Sequence, residues 1–179
     1  MSLLEKGQKM QKQRAPLAPF ALSFAVIALD QISKALVAAH VAPDTIGFRA
    51  FGDFFWIVRQ QNLGMAFSLL DRLPPVARSL ILVILPLALV AAVIVFYFRS
   101  SEPTALQRWA LCGIVGGGLG NVIDRIFRSE GVVDFISVKF YGIFGFERWP
   151  TFNVADSTVV VCAMLLVIST IVIGARRKQ

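Results

Sequence analysis

The sequence predicts an all-α membrane protein of four transmembrane helices carrying a small β-rich platform on the outer side. Three observations lead there. Of 179 residues, 56% are hydrophobic and 16% charged, whereas a soluble domain runs nearer half apolar and a quarter charged. The apolar residues collect in four runs close to membrane-spanning length. The basic residues Lys6, Lys9, Lys12 and Arg14 at one end, and Arg176, Arg177 and Lys178 at the other, abut apolar runs as cytoplasmic flanks do. One integral membrane domain covering 1–179 is expected at this length.

The first run spans about 17–39. It is too long for the core of a cleavable signal peptide, and its second half carries Asp30, Gln31 and Lys34. The second, 79–98, holds no charge and is bracketed by Arg78 and Arg99. Twenty residues at helical rise cover the roughly 30 Å hydrocarbon core, and neighbouring helices can accommodate Pro86. The third lies at about 106–124, and its uncharged stretch Trp109–Ile123 reaches only about 22 Å. Gly116, Gly117, Gly118 and Gly120 suit close helix packing. A phosphate-cradling loop is disfavoured, because no Lys-Ser/Thr pair follows the glycines and no strand precedes them. The fourth run spans about 154–174.

Four spans place both termini on one side, taken as cytoplasmic from their basic flanks. The segments 40–78 and 124–153 then lie outside. One carries Phe51, Phe54, Phe55, Trp56, Ile57 and Val58. The other carries Phe135, Val138, Phe140, Tyr141, Phe144, Phe146 and Trp149. Both read as short strands and interfacial aromatics.

The formal charge of +7 invites a nucleic-acid reading. The basic residues cluster in tails beside apolar runs, so no nucleic-acid partner is expected. Cys112 and Cys162 lie within apolar runs and read as small buried hydrophobes. With His40 the single histidine and no zinc-binding spacing, no metal is expected.

Ionisable residues in or beside spans are costly and mark candidate sites. Asp30 and Lys34 share a helix face at i and i+4, which suggests a structural, mutually neutralising pair. Asn121 and Asp124 share a face at i and i+3, with Arg125 beside them to neutralise or hold a carboxylate. Asp134 and Asp156 sit in apolar surroundings at the outer boundary. If the fold brings them together, both cannot readily ionise, and one keeps its proton. That supplies an acid and a base from identical side chains. Helix capping is the plainer reading of each.

Together, five segments resemble the motifs of bacterial lipoprotein signal peptidase, or signal peptidase II, in that family's order. They are Asp30-Gln31-Ile32-Ser33-Lys34, Asn62-Leu63-Gly64-Met65-Ala66-Phe67-Ser68, Gly120-Asn121-Val122-Ile123-Asp124-Arg125, Val133-Asp134-Phe135 and Phe152-Asn153-Val154-Ala155-Asp156. The resemblance implies an aspartic endopeptidase of the bacterial inner membrane, with its site at the periplasmic face. The family removes the signal peptide from diacylglyceryl-modified prolipoproteins just before the lipidated cysteine. It also implies Asp134 and Asp156 as the catalytic pair. Asn62, Gly64, Asn121, Arg125 and Asn153 match positions that shape the site or contact substrate and peptide-like inhibitors such as globomycin. No cofactor is implied, and the expected partners are lipidated substrates and membrane lipids.

Of two alternatives, the sequence rules out the first and leaves the second. An intramembrane protease of the Gly-x-Gly-Asp type would need an aspartate where Asn121 follows Gly118-Leu119-Gly120. A small proton-coupled transporter would relay protons through Asp30, Lys34, Asp124, Asp134 and Asp156.

Overall fold

The computed structural model describes residues 15–63 and 74–176. These contain four helices long and apolar enough to cross a membrane: α1 Phe20–His40, α2 Pro75–Arg99, α3 Ala105–Phe127 and α4 Val154–Arg176. Local chemistry sets their starts. Pro19 occupies the cap position of α1, so the helix begins three residues inside the apolar run. Pro75 opens α2 at the first helical position, where its missing N–H costs nothing, and the helix runs on through Pro86. A reciprocal capping box between Thr104 and Gln107 starts α3. Helix α2 therefore includes four residues beyond the expected start of its span.

Helix α3 is the hub, packing against α1, α2 and α4. Its glycines explain how. A Cβ on Gly116 would sit 2.8 Å from the Ser23 backbone of α1, and one on Gly117 would sit 2.5 Å from the Ala155 carbonyl of α4. Glycine lets both backbones close on the same stretch. The outward faces are apolar: Phe24, Leu29 and Ile32 on α1, Ile84, Leu85 and Leu89 on α2, and Val167, Ile168 and Ile171 on α4 are all exposed. Patches of that extent on several helices require a lipid environment. The chain is a multi-pass membrane protein.

Three antiparallel strands, β1 Ile46–Ala50, β2 Phe55–Asn62 and β3 Val132–Val138, form one sheet in the order β1-β2-β3. The aromatic stretch 51–58 thus divides. Phe55 onward is strand, while 51–54 is a turn in which Phe51, Gly52 and Asp53 all have positive φ. Trp56 is pinned there, donating from Nε1 to Asp53 at 2.6 Å, with the Arg148 guanidinium 3.5 Å from its ring centroid.

Strand β3 positions the site. It begins a few residues after α3, and Val132, Val133, Asp134 and Phe135 are all buried. The segment leading into α4 folds back on it: Phe135 and Ile136 both donate to the Phe152 carbonyl, and Phe152 donates to Ile136. This bridge sets Asp134 on β3 beside the first turn of α4.

Candidate active site

Two ionic layers meet at the sheet-bearing end of the bundle. In the first, Asp30 and Lys34 form the expected ion pair at 2.7 Å, with both side chains fully buried. The pair is part of a larger group. Lys34 Nζ also lies 2.8 Å from Asp124 Oδ2 and donates to Asn121 Oδ1 at 2.9 Å. An ammonium has three N–H donors, and all three are used.

Asp124 is held on its other side by Arg128 Nε at 3.0 Å and by the Gln31 amide at 3.1 Å. Among the described residues, the arginine in salt-bridge contact with Asp124 is not its neighbour Arg125. Arg128, one helical turn on, takes that place, because i and i+4 share a face whereas adjacent residues do not.

The second layer is the first turn of α4. Asn153 Oδ1 accepts the Asp156 N–H at 2.9 Å, and Asp156 Oδ2 accepts the Asn153 N–H at 3.2 Å. This reciprocal cap satisfies two N–H groups that a helix start leaves unpaired. Asp30 serves a third, its Oδ1 accepting from Ala155 N–H at 3.0 Å. A Cβ on Gly120 would lie 2.7 Å from Asp30 Oδ2, so glycine there admits the carboxylate.

The two candidate catalytic carboxylates are joined through amides. Asn153 Nδ2 donates to Asp134 Oδ1 at 2.7 Å and to Asn121 Oδ1 at 3.0 Å. Asn121 Nδ2 donates to Asp156 Oδ1 at 2.7 Å, and Asn62 Nδ2 donates to Asp134 Oδ2 at 2.9 Å. Asp134 is 3% exposed. Burial pushes its carboxyl up to about 6; the charge of Asp156 adds to this, while hydrogen bonds from Asn62 and Asn153 and the Lys34 charge oppose it. Asp134 thus holds a proton at mildly acidic pH.

Arg125 lies in the field of Asp156, Asp134 and Asp124. Its Nε is buried without a hydrogen-bond partner among the described residues. Asn62 lines two cavities beside the pair. One, of about 350 Å³, also includes Gln60, Asp134, Arg148 and Trp149. The other, of about 80 Å³, includes Arg125, Arg128 and Gly131.

The fold therefore gathers Asp30, Lys34, Asn121, Asp124, Asp134, Asn153 and Asp156 into one hydrogen-bonded cluster, with Asn62 at its edge and Arg125 in its field. Gly64 lies outside the described residues. Sequence reading gave no role to Gln31 or Arg128. Arg128 carried a usable signal in its i,i+4 spacing from Asp124.

Known proteins of one family are similar to this chain over most of its length. Residues 22–172 match the family model described as signal peptidase (SPase) II. The lipoprotein signal peptidase of Treponema pallidum is 48% identical over 166 residues, covering 93% of this chain and 88% of its own. That of Treponema denticola is 45% identical over 170 residues, covering 95% and 98%. Among solved structures, a bacterial membrane enzyme determined by the in meso method at 1.9 Å superposes with a TM-score of 0.74 at 25% identity, covering 88% of this chain and 95% of that one. The chain belongs to the signal peptidase II family.

Proposed function

We propose that this chain is an aspartic endopeptidase of the bacterial inner membrane, removing the signal peptide from diacylglyceryl-modified prolipoproteins just before the lipidated cysteine. The observation that carries the reading is the pairing of Asp134 and Asp156 through Asn153 at one end of the bundle, with Asp134 raised to about 6. Asp156 takes a proton from a water molecule, which attacks the scissile carbonyl. Asp134 donates its proton to the carbonyl oxygen; on collapse of the tetrahedral species Asp156 gives its proton to the departing amine and Asp134 takes back the hydroxyl proton. The positive field of Arg125 stabilises the negative charge that develops.

The termini are cytoplasmic and the site periplasmic in this reading, from the basic tails. The acyl chains of the substrate lie in the outer leaflet beside the sheet. There Phe51 and Phe144 are 83% and 84% exposed, and both hold positive φ. That backbone region is strained for a bulky side chain, which fits a lipid-contacting role. Peptide-like inhibitors such as globomycin would occupy the cavity beside Asp134. The test is cleavage of matched lipidated and unlipidated prolipoprotein peptides by the purified protein, with release of intact signal peptide as the readout.

The transport alternative finds no support. Among the described residues, the buried charged groups Asp30, Lys34, Asp124 and Asp134 gather in one cluster instead of spacing across the bilayer.

A further inference from the structure

We propose that Lys34 is a positioning residue for the catalytic pair: its ammonium fixes the orientation of the Asn121 amide and so keeps both carboxylates facing hydrogen-bond donors on their inner side. The inference rests on the peptidase reading above and goes beyond the structural role that an isolated ion pair with Asp30 would give.

Hydrogen-bond polarity sets the orientation of both amides. The two ends of an asparagine amide are nearly the same shape, and only the network around them says which way the group points. Lys34 can donate and never accept. Its contact with Asn121 at 2.9 Å therefore identifies the oxygen end of that amide. The nitrogen end must then face Asp156, as the 2.7 Å contact requires.

Asn153 is fixed from the opposite direction. The backbone N–H of Asp156 can only donate, so it takes the oxygen of Asn153, whose nitrogen turns to Asp134 and Asn121. A donor-only group stands at each end of the chain, and no amide between them is free to flip. The lone pairs of Asp134 Oδ1 and Asp156 Oδ1 that face the network are occupied by N–H groups. A proton on Asp134 therefore sits on a lone pair directed away from these donors.

Loss of Lys34 would leave the Asn153 amide as the one donor holding the Asn121 oxygen. Held from one side only, Asn121 would direct its N–H at Asp156 less firmly, and the carboxylate would lose its fixed orientation. The ammonium also contributes charge. Around Asp134 stand Asp30 on α1, Asp124, Arg125 and Arg128 on α3, and Asp156 on α4. In this group Lys34 favours the ionised form of Asp134. Without it Asp134 keeps its proton to higher pH.

The test compares Asp30→Asn with the double variant Asp30→Asn/Lys34→Met. The first keeps the ammonium. The second removes it together with one carboxylate, leaving Asp124 paired with Arg128, so no unbalanced buried charge is created. Steady-state kinetics on a lipidated peptide across pH 5–9 should show the double variant at least about 100-fold lower in kcat than Asp30→Asn, with KM within about threefold. The alkaline limb of its profile should move to higher pH. A kcat within threefold of Asp30→Asn, an unmoved limb, or a change confined to KM would overturn the proposal.

Should the double variant not fold, Asn121→Leu breaks the same link while leaving Lys34 on Asp30 and Asp124. A kcat loss of comparable size is then expected, and near-normal turnover overturns the relay. Asp134→Asn in the same assay separates the two levels. An active Asp134→Asn contradicts the peptidase pair itself, whereas an inactive one beside a fully active double variant contradicts only the role of Lys34.

Discussion

Asn153 donates to Asp134 at 2.7 Å while its own oxygen caps the helix that carries Asp156. A single buried amide thus ties the strand bearing one carboxylate to the helix turn bearing the other. Replacing Asn153 with Ala removes the cap, for about 1 kcal/mol, and leaves Asp134 Oδ1 without that donor. Activity is expected to fall at least about 100-fold while the melting temperature drops by only a few degrees. A variant cleaving at near-normal rate would show that the bridge is dispensable.

Asp134 should make stability depend on pH. Its carboxyl is raised from 3.8 to about 6 in the folded protein, so the folded state binds the proton more tightly than the unfolded state does. The stabilisation is complete below pH 3.8 and is lost as pH rises through 6, amounting to about 3 kcal/mol. Thermal unfolding in detergent from pH 4 to 8 should show this decline in the wild type. The decline should be much weaker in Asp134→Asn.

Lys34 should contribute more to stability than Asp30. Asp30→Ala leaves Lys34 paired with Asp124 at 2.8 Å. Lys34→Ala instead leaves Asp30 with no cation within salt-bridge reach among the described residues, while Asp124 keeps Arg128. Removing one partner from a buried pair costs about 3–5 kcal/mol. Lys34→Ala should therefore be the less stable of the two by melting temperature.

Phe51 and Phe144 are the side chains to change in testing lipid contact. Trp56 is committed to Asp53 and Arg148, so altering it would disturb the sheet. The double variant Phe51→Ser/Phe144→Ser should raise KM for a lipidated peptide several-fold and leave kcat within about twofold, because it removes binding rather than chemistry. An unchanged KM would place the acyl chains elsewhere.

The four helices were legible because an apolar run bounded by arginines, such as 79–98, has few other solutions in a bilayer. Sheet pairing was not. Strands β2 and β3 are more than 60 residues apart in sequence, and the register Gln60↔Asp134 includes a bulge that no local pattern announces. The same limit applies at the site. The i,i+4 spacing revealed Asp30 with Lys34, but the third member, Asp124, sits on another helix and becomes a partner only when the glycines of α3 let α1 approach. Asn153 read as one residue of a motif, and its role as a bridge required the fold-back of Phe152 on β3.

In the proposed mechanism Asp134 and Asp156 together perform peptide hydrolysis. That mechanism is tested most directly by turnover of a lipidated prolipoprotein peptide with purified wild type, Asp134→Asn and Asp156→Asn, each checked for thermal unfolding. An asparagine keeps the shape and, at 156, the oxygen that accepts the Asn153 N–H, but it cannot exchange a proton. The account predicts cleavage by the wild type and a loss of at least about 1,000-fold in each variant, with cooperative unfolding retained. Activity within tenfold of wild type in either folded variant would contradict it.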